Sequence, residues 1–108
     1  MLILFDNGTP RGIVRSLQGH KVEEARARGW DTLSNGELLR AGEEAGFEVL
    51  LTTDKDLAYQ QNLKDRKIAI VVLDTGRWRL IRAALPEVVA AVDAAKPGSF
   101  TVIDIPDR

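Results

Sequence analysis

Apolar and polar positions alternate between two kinds of pattern along this chain. Leu2-Ile3-Leu4-Phe5 and Ile68-Ala69-Ile70-Val71-Val72-Leu73 are unbroken apolar runs, and Val49-Leu50-Leu51-Thr52-Thr53 is nearly one. Runs of this length and composition predict strands buried on both faces of a parallel sheet. The six apolar residues from Ile68 to Leu73 argue for an internal strand. Phe100-Thr101-Val102-Ile103-Asp104-Ile105 reads as a last strand at an edge, and Lys21-Val22-Glu23 as a short one.

The segments between them carry helical spacing. Thr9-Pro10 has the form of an N-cap followed by proline in the first helical position, with Ile13, Val14 and Leu17 after it and Gly19 as the stop. Glu24 to Arg28 reads as a helical turn closed by Gly29. Ser34-Asn35-Gly36-Glu37 opens a longer helix whose packing face is Leu38, Leu39, Ala41, Gly42 and Ala45, with Gly46 at its end. Leu57 to Lys64 is helical or irregular. From Arg77 to Ala95, Trp78, Ile81, Leu85, Val88, Val89 and Val92 recur on one face, and Pro86 divides the segment into two pieces. Strands alternating with helices predict one domain over residues 1–108: α/β, three layers (α/β/α), with a mainly parallel sheet.

Charge and composition narrow the function. The chain has 108 residues, 44% hydrophobic and 29% charged, with a formal net charge of -1. That balance supplies no global attraction to nucleic acid, so RNA or DNA would need a local basic patch. There is no Cys, which excludes disulfides, thiolate zinc sites and a Cys nucleophile, and the single His20 excludes a multi-histidine metal site. No apolar run has the length to cross a bilayer. A soluble, unprocessed, cytoplasmic protein without a membrane partner is the expectation.

Candidate chemistry lies where the apolar runs end. Asp6 follows the first run, and Asp54 and Asp56 follow the run ending at Thr53. In open parallel sheets, ligands bind outside the carboxyl ends of the strands, so acids placed there converge. Converging carboxylates repel unless a cation or proton joins them. Mg²⁺ or Mn²⁺ suits a site made only of oxygens. Such an ion lowers the pKa of a coordinated water and clamps a phosphodiester oxygen.

Each acid also has a structural alternative. Asp6 can be a turn residue, although Thr9 is the expected cap of the helix after it. Glu37 fits a capping box with Ser34, which would turn it away from a cleft. Asp54 can cap a short helix with Asp56 in its first turn. Asn7 is either a ligand or orienting group for Asp6, or a turn residue beside Gly8. Thr52 and Thr53 at the strand end can reach a coordinated water or phosphate, or simply pack. Arg11, Arg15 and Lys55 are candidate phosphate contacts, and Tyr59-Gln60-Gln61-Asn62 and Trp78 are candidate base contacts. His20 reads as a surface residue.

Three stretches in order carry a resemblance: Leu4-Phe5-Asp6-Asn7-Gly8-Thr9-Pro10-Arg11, then Gly29-Trp30-Asp31 through Ser34-Asn35-Gly36-Glu37-Leu38-Leu39, then Leu51-Thr52-Thr53-Asp54-Lys55-Asp56-Leu57. Over residues 2–73 the chain resembles the DUF5615 PIN-like family, related to PIN-domain nucleases including VapC-type toxins. The resemblance implies catalytic Asp6, Glu37 and Asp54, with Asp56 as a candidate fourth metal ligand; Asn7, Arg11, Thr53 and Lys55 are the candidate substrate contacts by their positions beside these acids. It implies a Mg²⁺- or Mn²⁺-dependent endoribonuclease acting on RNA, a small antitoxin partner and a homodimer. The chain differs from that pattern in having Asn7 directly after Asp6, and Asn35-Gly36 where relatives often carry acids.

Two other readings compete. One is a catalytically weak or inactive module for RNA binding or protein interaction. The other is a Toprim-like site, suggested by Asp54-x-Asp56, which would require Glu where this chain has Asp6.

Overall fold

The computed structural model describes residues 1–57 and 66–106. Five strands form one sheet: β1 (Leu2–Phe5), β2 (Lys21–Glu24), β3 (Val49–Thr52), β4 (Ala69–Leu73) and β5 (Phe100–Ile103). Their order is β2-β1-β3-β4-β5 and every pairing is parallel. The expected mainly parallel sheet is thus wholly parallel. β3 and β4 are buried at every residue, as their apolar composition requires. β5 lies at one edge, where Val102 is left exposed, and β2, with only Val22 apolar, lies at the other.

Alternation along the strands divides the core in two. Ile3, Phe5, Val49, Leu51, Val71 and Leu73 face one layer, made by a 3₁₀ helix (Arg11–Ser16) and by helices α2 (Trp78–Ala83) and α3 (Leu85–Asp93). Leu4, Leu50, Ile70 and Val72 face the other, where α1 (Asn35–Glu44) packs through Leu38 and Leu39. The result is the three-layer α/β/α arrangement. Glu43 on α1 ties this layer to the start of β4. It accepts from Arg66 Nη1 at 2.7 Å and from the amides of Lys67 and Ile68 at 2.6 and 3.2 Å.

Several sequence expectations are refined. Thr9 does not cap the helix after it: its hydroxyl donates to the Leu51 carbonyl at 3.0 Å, so it bonds the loop to the sheet instead. Pro10 occupies the cap position with an extended backbone, and the helix that follows is a 3₁₀ segment. Ser34 does form its capping box with Glu37. The expected division near Pro86 occurs at Ala84, with Pro86 in the first turn of α3. An absent N–H costs nothing there, because first-turn amides have no helical acceptor. Trp78 is not a core residue: it is 37% exposed, and Leu80 joins the expected Ile81 as the buried residues of α2. The Tyr59–Asn62 motif and the segment after Leu57 lie outside the described residues. No described helix is long and apolar enough to cross a membrane.

Candidate functional site

With strand order 2-1-3-4-5, the connections reverse direction between β1 and β3. In doubly wound sheets that reversal opens a crevice outside the carboxyl ends of the two strands. Asp6 follows β1 directly, and Thr52 ends β3. The register pairs Leu4 with Leu50 and Phe5 with Leu51. Asp6 and Thr52 therefore come opposite each other, and the Asp6 amide extends the ladder by donating to the Leu51 carbonyl at 3.0 Å.

The two side chains share the α1 side of the sheet, because they follow the alternation of Leu4 and Leu50. The fully buried Thr52 hydroxyl donates to Asp6 Oδ2 at 2.8 Å. Thr52 Oγ1 in turn accepts the amide of Asp54 at 3.0 Å. One hydroxyl thus links the carboxylate after β1 to the backbone that presents the carboxylate after β3.

Both carboxylates are further oriented. Asp6 Oδ1 accepts the Asn7 amide at 2.8 Å. Asp54 Oδ2 accepts Asn35 Nδ2 at 3.0 Å, and its Oδ1 accepts the Asp56 amide at 2.9 Å. Asn35 is the first residue of α1, so helix and sheet meet at Asp54. The Asn7 side chain donates to the Asp31 carbonyl at 3.2 Å and secures a neighbouring loop. Gly8 needs its left-handed backbone (φ +86°), and a Cβ there would come within 3.3 Å of Thr53 Oγ1. Gly76 approaches the same two residues, so the loops after β1, β3 and β4 converge.

The remaining expected residues are placed as follows. Glu37 is exposed and closes the capping box, accepting the Ser34 amide at Oε1 (3.0 Å) while its own amide donates to Ser34 Oγ (3.3 Å). The Ser34 amide above all, then the Ser34 hydroxyl and Arg40, hold its carboxyl below the usual carboxylate range. Asp56 and Lys55 are exposed in the turn after Asp54, and Thr53 is half-buried. Arg11 is exposed and donates Nε–H to Glu24 Oε1 at 3.0 Å. His20 is remote, at the opposite end of the sheet, hydrogen-bonded to the Met1 ammonium and to Asp93.

A cleft of about 240 Å³ opens beside Asp6, lined among others by Asn7, Gly8, Arg11, Glu24 and Arg26. Asp54 lies outside its lining and is linked to Asp6 through Thr52. Asp6 is therefore the acid common to the cleft and to the Thr52–Asp54 network. Glu24, Arg26 and Asn35 are among the residues that the sequence did not mark as part of the site. Glu24 and Arg26 carry no motif, and Asn35 reads in the sequence only as part of the start of a helix. Asp74, the acid after β4, accepts the Ile105 amide at 3.0 Å and fastens the chain beyond β5.

Asp6 and Asp54 offer only oxygens, and the hydrogen bonds that each carboxylate accepts leave lone pairs free on a group with about four acceptor sites. Hydrogen-bonded carboxylates are what metal ligands commonly are. Among the described residues, no group of three or more His, Cys, Asp or Glu is assembled for a metal. The residues present therefore offer one or two carboxylates to a magnesium-type ion, a number such an ion commonly takes from protein, and not a cage of four acids. Comparison with known proteins gives no match to any family model, curated protein or solved structure.

Proposed function

We propose that this chain is a PIN-like endoribonuclease dependent on Mg²⁺ or Mn²⁺, with Asp6 and Asp54 as the residues that hold the ion. The observation that carries this reading is the coupling of the two acids through Thr52 at the β1/β3 reversal. When bound, the ion supplies an acidified water and neutralises charge developing on a phosphodiester. The protein's share is positioning. Thr52 and the Asn7 amide fix the Asp6 carboxylate, and Asn35 and the Asp56 amide fix Asp54. Arg11 and Arg26 on the cleft wall supply cationic forks for phosphate oxygens. Glu37 is assigned to the helix cap, with Asp56, Lys55 and Thr53 flanking the site. The family resemblance adds a toxin role, an antitoxin partner, a homodimer and a cytoplasmic setting to the same proposal.

The experiment is cleavage of single-stranded RNA with Mn²⁺ or Mg²⁺, with and without chelator, by the wild type and by Asp6→Asn and Asp54→Asn. Loss of ion-dependent cleavage in both variants is the expected result. Cleavage that survives both substitutions defeats the proposal.

A second reading is favoured by one observation: Glu37 is engaged in the cap, so no third acid joins the pair among the described residues. On that reading the chain is an inactive PIN-like module for RNA binding or protein interaction. It expects RNA or partner binding with no cleavage at any concentration of ion.

A further inference from the structure

A second depression adjoins the Asp6 cleft. This groove, about 500 Å³, is lined by Pro10, Arg11, Gly12, Arg15 and Trp78. Arg11 lines both it and the cleft, so the two meet at that residue. Its aromatic wall is fixed by close packing: a Cβ on Gly12 would collide with the six-membered ring of Trp78, so only glycine lets the indole lie against the 3₁₀ helix. Trp78 nonetheless remains 37% exposed, the largest side chain among the exposed apolar ones. Arg15 is exposed and makes no ion pair among the described residues, while Arg11 uses its Nε–H on Glu24 and retains the rest of a five-donor fork. No acid lines this groove.

An anchored aromatic beside two guanidinium groups, in a chain whose net charge is -1, is a local basic and stacking surface. We infer that this groove binds a single-stranded segment of RNA: one unpaired base stacks on Trp78, and the adjoining phosphates meet Arg15 and Arg11 on the way to Asp6. A duplex hides its base faces, whereas a single strand offers them to an aromatic platform. The choice of RNA rests on the ribonuclease reading above, and the groove extends that reading by setting the form of its substrate.

The test is binding of a fluorescently labelled oligouridylate in chelator, where cleavage plays no part, followed by anisotropy. Trp78→Ala is expected to weaken binding roughly five- to hundredfold, and Trp78→Phe to retain most of the affinity. Arg15→Gln is expected to reduce the salt slope by about 0.7. In a Trp30→Phe background, the oligonucleotide is expected to quench the emission of Trp78. Far-UV circular dichroism establishes that the variants fold, and Trp78→Phe and Arg15→Gln keep the test decisive if Trp78→Ala does not. Unchanged affinity in Trp78→Ala and Arg15→Gln, unaltered Trp78 emission, or equally tight binding of duplex RNA overturns the inference. Cleavage that survives Asp6→Asn, together with weakened binding in Trp78→Ala, removes the catalytic reading and leaves the groove. Cleavage lost in Asp6→Asn, with Trp78→Ala binding unchanged, does the reverse.

Discussion

The hydroxyl of Thr52 donates to Asp6 Oδ2 at 2.8 Å across the β1–β3 pair while accepting the Asp54 amide at 3.0 Å. A side chain with no exposure thereby sets the direction of one carboxylate and the backbone path of another. Valine has nearly the same shape but neither bond. Thr52→Val should cost about 1–3 kcal/mol in chemical denaturation, because the Asp54 amide loses its acceptor. Ion affinity and cleavage should fall roughly 10- to 100-fold, the usual cost of losing a group that orients a ligand. Unchanged cleavage in a folded Thr52→Val protein would show that the hydroxyl serves stability only.

Asn35 donates to Asp54 Oδ2 at 3.0 Å from the first position of α1. Asn35→Asp exchanges that donor for a second carboxylate. Like charges at close range destabilise each other unless a cation intervenes. The melting temperature in chelator should therefore drop below that of the wild type, and the rise produced by Mn²⁺ should be larger. A variant with an unaltered ion response would separate Asn35 from the ion.

Glu37 is satisfied within its own helix terminus. Gln fits the same capping box, so Glu37→Gln should leave both the melting temperature and the ion-induced shift near wild type. Thermal melts with and without Mn²⁺ read both quantities. A lost ion response in a stable Glu37→Gln protein would return Glu37 to the site.

Far from the site, Glu43 gives the fold an acid-sensitive anchor. Partial burial pushes its carboxyl up, but the bonds from Arg66 and from the Lys67 and Ile68 amides outweigh this and leave it below its ordinary value of 4.5. With the folded value depressed, its contribution is complete above 4.5 and is lost as pH falls through the folded value. Glu43→Gln should cost about 1–3 kcal/mol at neutral pH, and the difference from wild type should shrink in acid. Urea denaturation at neutral and acid pH checks both.

The sequence made the buried strands legible because a strand covered on both faces must be apolar throughout, as β1 and β4 are. It made Asp6 and Asp54 legible because each follows such a run. Strand order was not legible, since pairing of β1 with β3 depends on contacts across the whole chain. The bonds that couple the acids share that property: Thr52 lies 46 residues from Asp6, and Asn35 lies 19 from Asp54. The alternation that puts Asp6 and Thr52 on one face becomes informative only when the register is known. Thr9 shows the converse. Its local pattern fits a helix cap, but its hydroxyl has a stronger claim from the Leu51 carbonyl, 42 residues away.

The most direct measurement of the central claim is thermal unfolding as a function of Mn²⁺ or Mg²⁺ for the wild type, Asp6→Asn and Asp54→Asn. Asn keeps the shape of Asp while removing the charge and one acceptor oxygen, and in Asp6→Asn the remaining oxygen can still accept from Thr52; melts in chelator establish that each variant folds. An ion that binds the folded state at roughly 100 times its Kd stabilises it by about 2.7 kcal/mol. The account predicts a rising melting temperature for the wild type and a flat response for both variants. A flat wild-type response, or one that persists undiminished in both variants, would contradict it.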